Sequence, residues 1–440
     1  MGNQSELPRL KHLLKDNPEI IERLLHLLET GTVRSDGSYP TWPQLSLQPP
    51  AAYLTLRDWW LALKLQRLLG RQEIGLKASG GQPITVGSVE SFAEAIHGMD
   101  RTGRSGNDDG DAGSRRVREY LAVEALREEA IASAQLDGAG IALEVARGFL
   151  GSGRKARDPD EQKVFNTHRT LERIREIRAQ PLTLALLADL HQRLTAGTVV
   201  KGDFSGRLRR EDDVVSAESV DEKLEREPPP AAELPVRLKA MLAFANGRAP
   251  GHFVHPLLRA AALHFWVLHD QPFAEGSGRL ARALYYWCVL HAGYAEFEIL
   301  APSAALRDAP AAYRRAFNEV LADDHDLMYF AAHLFEAMAK AQRRCKGEAA
   351  CWWEELQGTE NLPGVAEFND RQRLLIARAR REPSLRRTLQ EHARDHNLAR
   401  QTARNDFAPL VKLGWFEETK VSRALTFFPA PDLAERIKGT

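Results

Sequence analysis

The stretch Leu268–Arg282, LHDQPFAEGSGRLAR, is a polar, glycine-containing segment between two strongly apolar ones. Residues 256–269 before it and 279–292 after it are apolar at helical spacing, which predicts a turn between two buried helices. Gly276 and Gly278 allow backbone N–H groups to converge at the N-terminus of the second helix, where the positive end of the helix dipole also lies. The stretch therefore predicts an anion-binding site.

Three charged side chains belong to this predicted site. Arg279 and Arg282 lie on one helix face and can donate charge-assisted hydrogen bonds to successive phosphates. Glu275 offers a carboxylate to a Mg²⁺ ion that bridges those phosphates. From these residues alone, a Gly-rich interhelical turn with two solvated arginines is the alternative.

The stretch resembles the signature of the Fic family, HPFxDGNGRxxR, whose last residues read GNGRxxR where this chain has GSGRLAR. Other segments are similar as well. FVHPLLRAAALHFW resembles the helix that leads into the Fic loop, PLTLALLADLHQRL resembles an earlier core helix, and FSGRLRREDDVV resembles a G-x-x-R region before a flap. The resemblance implies a mainly α fold, in which a helical bundle carries a small β-hairpin flap.

Fic proteins typically transfer AMP from ATP to a hydroxyl side chain of a target protein. The resemblance implies that Glu275 holds Mg²⁺ and that Gly276 and Gly278 form the phosphate nest. It assigns the phosphate oxygens to Arg279 and Arg282. ATP and Mg²⁺ are thus the implied ligands, an unidentified protein is the implied target, and a homodimer is expected from the way Fic relatives pair.

Two positions depart from the Fic signature. Gln271 stands where the family has the histidine that deprotonates the acceptor hydroxyl, and Ser277 stands where it has an asparagine that helps to hold the α-phosphate. An amide accepts no proton near neutral pH, and loss of a general base typically costs about 10² to 10⁴ in rate. His269 replaces the base only if the preceding helix ends before it, and His264 is expected to be a core histidine.

A second segment resembles the inhibitory helix of many Fic proteins, with its pattern [ST]xxxE[GN]. Here it runs from Ser133 to Gly138, with Asp137 in place of the glutamate. The resemblance implies that Asp137 pairs with Arg282 and repels a triphosphate, and the shorter side chain predicts a weaker or water-bridged pair. The alternative is that Asp137 and Gly138 simply end a helix.

The C-terminal segment resembles a winged helix-turn-helix. Helices are predicted near 370–380, 385–395 and 399–413, with two short strands around 415–428 and a wing near Lys420–Arg423. The stretch 371–423 holds 13 Lys or Arg against 6 Asp or Glu, inside a chain with 60 of each kind. The third helix is expected to expose side chains suited to duplex DNA, namely Arg400, Gln401, Arg404 and Asn405. A protein-interaction or dimerisation module is the alternative.

The chain has 440 residues, of which 43% are hydrophobic, enough for several domains. The predicted domains are an N-terminal helical extension, a Fic core with a hairpin near 205–217, a linker and the winged helix: 1–110, 111–345, 346–368 and 369–440. Three cysteines without metal-site spacing, no signal sequence and no long apolar run indicate a cytoplasmic protein without a membrane span.

Three hypotheses follow for the function. The first is a pseudoenzyme that binds nucleotide, transfers AMP poorly or not at all, and acts as a DNA-binding regulator. The second is an active or weakly active AMP-transferase restrained by the 133–138 helix. The third is a structural adaptor that binds no nucleotide.

Overall fold

The computed structural model describes most of the chain. The described residues are 19–29, 39–47, 55–87, 92–103, 112–152, 154–198, 204–211, 213, 227–359, 367–396, 398–421 and 424–433. The chain is mainly helical, as the sequence predicts, and two small antiparallel sheets accompany the helices. Within the described ranges, no helix is long and apolar enough to cross a lipid bilayer.

The N-terminal part begins with three helices, α1 (Glu19–Glu29), α2 (Trp42–Leu45) and α3 (Leu56–Leu69). Thr55 caps α3 by accepting a hydrogen bond from the backbone N–H of Asp58 at 3.1 Å. Trp60 is fully buried in the core of this unit, while Trp42 and Trp59 pack against it. The tryptophans therefore serve packing.

A β-hairpin that was not predicted follows within the segment expected to be an N-terminal helical extension. Strand β1 (Gln72–Lys77) pairs with β2 (Pro83–Val86) and places Ile74 and Leu76 in the core. Thr85 holds the hairpin against the main bundle, because its N–H donates to His325 O at 3.1 Å and its carbonyl accepts from Leu327 N–H at 2.9 Å. These partners lie about 240 residues away, so the local pattern could not reveal them.

The middle of the chain folds into a helical bundle. Its helices are α4 (Ala93–Gly103), α5 (Ala112–Leu136), α6 (Leu143–Ser152), α7 (Pro159–Ile177), α8 (Leu184–Thr195), α9 (Leu234–Ala245), α10 (Pro256–Asp270), α11 (Ser277–His291), α12 (Pro302–Arg307) and α13 (Pro310–Ala322). Asp158 and Thr183 cap α7 and α8 with their side chains. Helices α10 and α11 are buried on almost every face, so they form the centre of the bundle.

A long helix, α14 (Met328–Thr359), corrects the predicted linker at 346–368. The helix was expected to stop near residue 344, but Trp352 is buried and its ring lies 4.5 Å from that of Tyr120, centroid to centroid. This packing on α5 continues the helix past the polar stretch where the local sequence predicts a connector. Residues 360–366 of the predicted linker lie outside the described residues.

The predicted hairpin near 205–217 is not seen in its described part. Residues 204–211 and 213 form turns and extended backbone without a strand, and the rest of the segment lies outside the described residues. Arg207 pairs with Asp213 through two hydrogen bonds, of 2.9 and 3.0 Å. This ion pair closes a local turn between the arginines and the acidic residues that follow them.

The C-terminal part has its own core. It comprises α15 (Asp370–Arg381), β3 (Arg387–Thr388), α16 (Leu389–Asp395), α17 (Arg400–Lys412), β4 (Phe416–Val421) and β5 (Ala424–Pro429). The strands form one antiparallel sheet in the order β3-β5-β4. Phe407 and Phe427 stack with their ring centroids 4.0 Å apart in the core that joins helices to sheet. Three helices and the β4–β5 pair thus lie where the sequence predicts them.

Candidate functional site

The turn between α10 and α11 has two residues in the left-handed backbone region. Gln271 ends α10 with φ 41° and ψ 66°, and Gly276 precedes α11 with φ 73°. Left-handed backbone is natural for glycine and uncommon for glutamine. The turn is therefore held by its surroundings, and Gln271 occupies the position that the sequence assigns to a base.

Arg209 fixes this turn from the side. Its Nε donates to Gln271 O at 2.7 Å, its Nη2 donates to Asp270 O at 3.2 Å, and its backbone N–H donates to Pro272 O at 3.0 Å. The side chain is buried. Charge-assisted bonds to carbonyls at a helix end satisfy acceptors that have no helical partner, and they stabilise the unusual backbone at Gln271.

A buried ion pair supports the same turn from below. Asp270 is fully buried and binds the guanidinium of Arg237 through two oxygens, at 2.5 and 2.8 Å. Arg237 also donates to Lys77 O at 2.6 Å, which ties the turn to strand β1. Neither Arg209 nor Arg237 was predicted as a site residue. The available signal was an arginine within an otherwise apolar helix for Arg237 and the G-x-x-R pattern, residues 206–209, for Arg209.

His191 of α8 packs beneath the turn and was also missed. Its ring stacks on Phe273 with centroids 3.8 Å apart, its Nε2–H donates to Glu275 O at 2.8 Å, and its Nδ1 accepts from Gly206 N–H at 3.0 Å. Burial lowers the pKa of His191 to about 4. Both ring nitrogens are used by backbone groups, so His191 is a neutral spacer that joins the G-x-x-R region to the turn.

The two histidines of α10 are both part of the buried core. Helix α10 continues to Asp270, and His269 is buried with its Nδ1 at 2.7 Å from Asp270 Oδ1 and its ring next to Phe265. The condition for His269 to replace the base, an earlier helix end, is not met. His264 is a core histidine as predicted, since its Nε2 lies 2.6 Å from the hydroxyl of Tyr313.

Arg279 and Arg282 lie on one face of α11, as predicted, and both are buried. Nη1 of Arg279 donates to Leu194 O at 2.6 Å. Arg282 donates from Nε to Ser133 Oγ at 2.8 Å and from Nη2 to Ser133 O at 2.7 Å. The two guanidinium groups are thus fixed in place beside the first turn of α11, where they form a positive cradle.

Asp137 occupies this cradle. Its Oδ2 lies 2.9 Å from Arg279 Nε, and its Oδ1 lies 3.4 Å from Arg282 Nη2. The predicted pairing with Arg282 is therefore present, but the closer partner is Arg279, and the contact is direct instead of water-bridged. Helix α5 approaches α11 closely enough for the shorter acid to reach. Gly138, with φ 81°, also ends α5, so the ion pair and the helix end that the sequence suggested as alternatives are both present.

Glu275 and Ser277 are half-buried at the rim of the cradle. Ser277 Oγ lies 3.4 Å from Phe273 O, a long contact at the start of α11. Among the described residues, no group of three or more His, Cys, Asp or Glu side chains could hold a metal ion. A single carboxylate at Glu275 fits Mg²⁺ only in the way that is usual for this ion, with phosphate oxygens and water as the other ligands.

The four residues predicted to contact DNA form a separate group on α17. Arg400, Gln401, Arg404 and Asn405 are all exposed, while Phe407 on the same helix is buried. Gln401 Nε2 donates to Asn405 Oδ1 at 3.1 Å. The helix therefore presents a polar face to solvent and an apolar one to the core, as predicted. Arg423 of the predicted wing lies outside the described residues.

Part of the chain matches a known protein family. Residues 181–289 match the model of the Fic/DOC family. No curated protein matches the chain. A Fic family protein from Desulfovibrio desulfuricans G20 is similar in structure, with 20% identity, a TM-score of 0.47, and 78% of this chain and 96% of that chain covered.

Two further solved structures are similar. One is a Fic domain containing signaling protein from Bacteroides thetaiotaomicron VPI-5482, with 17% identity, a TM-score of 0.44, and 57% of this chain and 98% of that one covered. The other is Fic-1 from C. elegans, with 16% identity, a TM-score of 0.44, and 58% and 72% covered. The matched segment 181–289 contains the whole turn between α10 and α11, and the chain therefore carries a domain of the Fic/DOC family.

Proposed function

We propose that this Fic-domain protein binds the polyphosphate of a nucleotide in the cradle but transfers AMP poorly or not at all. The cradle combines the first turn of α11 with the guanidinium groups of Arg279 and Arg282. Helix N-termini and paired arginines favour phosphate groups. Asp137, already held there, is a carboxylate in the place of such a group.

The observation that carries the impaired transfer is the environment of Gln271. Its carboxamide cannot accept a proton from an acceptor hydroxyl. Neither nearby histidine can act as the general base in its place. His191 binds backbone groups through both ring nitrogens, and His269 is buried next to Asp270 on α10. General-base loss of this kind costs about 10² to 10⁴ in rate.

Mg²⁺ fits this proposal as an ion that arrives with the phosphates. Glu275 supplies one carboxylate at the rim of the cradle. The metal would neutralise phosphate charge when bound. Gly276 and Gly278 carry no side chain, so a phosphate can approach the backbone N–H groups of the turn. Arg279 and Arg282 orient the phosphate oxygens.

Asp137 makes the resting cradle a closed one. A polyphosphate must displace its carboxylate from both arginines before it can bind, because like charges cannot share the site. Ser133 keeps its two hydrogen bonds to Arg282 from the same helix. We infer that the free protein has low nucleotide occupancy until α5 moves.

We further propose that the output is regulation at duplex DNA through the C-terminal unit. The support is the exposed polar face of α17, with Arg400, Gln401, Arg404 and Asn405, on a basic segment. Arginine, glutamine and asparagine are the side chains that bind base edges in a major groove. The protein target, the homodimer and a cytoplasmic location stay predictions.

The decisive experiment restores the motif in an opened cradle. A Gln271→His, Ser277→Asn, Asp137→Ala variant should transfer label from α-labelled ATP to protein, whereas the unaltered chain should not. The matched control is Gln271→Asn in the same background, because both asparagine and histidine tolerate left-handed backbone better than most residues. Label transfer by the unaltered chain, or by Asp137→Ala alone, would instead support an active AMP-transferase restrained by residues 133–138.

A further inference from the structure

A second cleft lies beside α5, and none of the described residues that line it belongs to the cradle. It encloses about 600 Å³ between α5, α7 and α16, with Arg193 of α8 at its edge. Two of these helices belong to the bundle and α16 belongs to the C-terminal unit. The volume is within the range of about 300–1,000 Å³ that is usual for small-molecule sites.

The lining of the cleft is strongly basic. Among the described residues that line it are six arginines: Arg127, Arg169, Arg173, Arg175, Arg193 and Arg394. The carboxylates in the same lining are Glu172, Glu176 and Asp395. Each of these three acids is paired with an arginine. Arg193 and Arg127 also pair with Asp189 and Glu124, which lie just outside the lining, so a small excess of positive charge remains.

Two of the arginines are held by neutral groups. Arg175 donates to the Tyr286 hydroxyl at 2.7 Å and to Ala122 O at 3.1 Å. Arg394 donates to Leu150 O at 2.6 Å and to Gly151 O at 2.8 Å, at the C-terminal end of α6. These contacts with carbonyl and hydroxyl groups fix the two guanidinium groups, and Nε of Arg394 also lies 3.9 Å from Asp395 Oδ1. An incoming anion would therefore meet pre-positioned cations, which lowers the cost of binding.

Arg169 and Arg173 lie one turn apart on α7 and face the cleft. Arg169 pairs with Glu172 at 2.6 Å, and Arg173 pairs with Glu176 at 2.9 Å, in each case through Nη1 only. Nε of Arg173 is buried and has no acceptor among the described residues. A buried donor without an acceptor costs free energy, and an anionic ligand would satisfy it.

His168 belongs to the lining of the cleft. Burial, and after it repulsion by Arg127, Arg394, Arg169 and Arg175, lower the pKa of His168 to about 3. Glu172, 3.7 Å from Nδ1, does not offset this. The imidazole is neutral at physiological pH, so it adds no charge to the lining and leaves the arginines as the groups that an anion would meet.

We propose that this cleft is a second anion site, which binds a small polyphosphate such as a nucleoside triphosphate or inorganic polyphosphate. The arginines of α7 would bind one side of the ligand, and Arg394 of α16 would bind the other. The ligand would thereby join the bundle to the C-terminal unit at the point where Arg127 of α5 already pairs with Asp395 of α16. This proposal does not depend on the cradle, which lies at the far end of α5.

Calorimetric titration of the full chain with inorganic tripolyphosphate tests the proposal. At an ionic strength of about 0.15 M, which screens exposed charges, we expect binding that Arg169→Gln with Arg173→Gln weakens about tenfold or more. Both side chains are at least partly exposed, so the variant should fold. Arg314→Gln with Arg315→Gln on α13 is the matched control, because it removes the same charge outside the cleft lining.

Further arms separate the sources of the ligand and the two sites. ATP titrated against tripolyphosphate shows whether the base adds affinity, and Asp137→Ala should add a binding event at the cradle without changing the one at the cleft. Saturation with tripolyphosphate should also raise the pKa of His168. This pKa is measured from the pH dependence of the imidazole proton resonance, which the His168→Gln variant assigns. Equal affinities in the cleft variant and the unaltered chain, or equal losses in the cleft variant and the control, would overturn the proposal.

Discussion

Oδ1 of Asp137 lies 2.2 Å from the position where any residue other than glycine at 278 would carry its Cβ atom. The carboxylate thus rests directly against Gly278, on the first turn of α11 and beside both arginines of the cradle. That is where the helix dipole and the free N–H groups favour an anion. The protein therefore carries its own anion in the place that we assign to a phosphate.

Gly278→Ala should expel this carboxylate. The added Cβ cannot coexist with Asp137, so the buried arginines lose their partner, and breaking buried pairs of this kind costs about 3–5 kcal/mol. We expect a loss of that order in the free energy of unfolding, measured with urea.

Gly148→Ala is the control for that substitution. Gly148 lies inside α6 with nothing within 4 Å of a Cβ atom, and an alanine there should stabilise the helix by about 0.5–1 kcal/mol. If Gly278→Ala were as stable as Gly148→Ala, Asp137 would not be in contact with α11 in solution. Combining Gly278→Ala with Asp137→Ala should give less than the sum of the two losses.

Asp137→Asn should raise the affinity for a nonhydrolysable ATP analogue. The amide keeps the size of the side chain and removes the negative charge that competes with phosphate. We expect the dissociation constant to be about tenfold lower, which corresponds to about 1.4 kcal/mol of binding free energy. Glu144→Gln removes an exposed charge on α6 and should leave the affinity unchanged. An identical affinity in Asp137→Asn and the unaltered chain would contradict a closed cradle.

Acid should loosen the C-terminal unit. Burial by itself raises the pKa of Asp395, but Arg387, at 2.7 Å, and Arg127 lower it to about 2. An unfolded aspartate has a pKa of about 3.9, so the stabilisation is complete above that pH and is lost as the pH falls from about 4 towards 2. The difference is worth roughly 2–3 kcal/mol.

The measurement is the urea midpoint of the full chain as a function of pH. Asp395→Asn should remove part of the decline between about pH 4 and pH 2, whereas Glu417→Gln, an exposed residue of β4, should not. Parallel curves for Asp395→Asn and the unaltered chain would show that this carboxylate is not coupled to Arg387 and Arg127.

Arg404→Ala should weaken binding to duplex DNA. If this exposed arginine contacts a phosphate, its loss should reduce the slope of log affinity against log salt by about 1 and act on all sequences alike. If it contacts a base, the cost should be about 1–3 kcal/mol at one position of the site. Arg343→Ala, exposed on α14, is the control. If both variants bind DNA with equal affinity, the alternative holds that α17 belongs to a protein-interaction or dimerisation module.

Local sequence was sufficient for the elements of the candidate site. The apolar spacing on both sides of the turn predicted α10 and α11, the glycines predicted that backbone N–H groups converge at the start of α11, and the family signature located Gln271. These features are local because helix periodicity and turn chemistry depend on neighbouring residues. The three helices and the β4–β5 pair of the C-terminal unit followed from the same kind of pattern, whereas β3 did not.

Tertiary structure decided how the parts meet. Arg209 and Arg237 reach the turn from segments more than 30 residues away, and the hairpin β1–β2 is fixed by Thr85 against residues 325–327. The length of α14 depends on Trp352 packing against Tyr120. No local pattern specifies such contacts, because each depends on where other helices place their side chains.

The sequence by itself determined that the turn carries a carboxamide in place of a base, next to a glycine nest and two arginines. Only the tertiary structure decided that Asp137 binds Arg279 more closely than Arg282, and that arginines from α5, α7, α8 and α16 surround one cleft. The amino-acid sequence specifies the functional group at each position, whereas the distances between charged groups follow from the packing of helices that are remote in the chain.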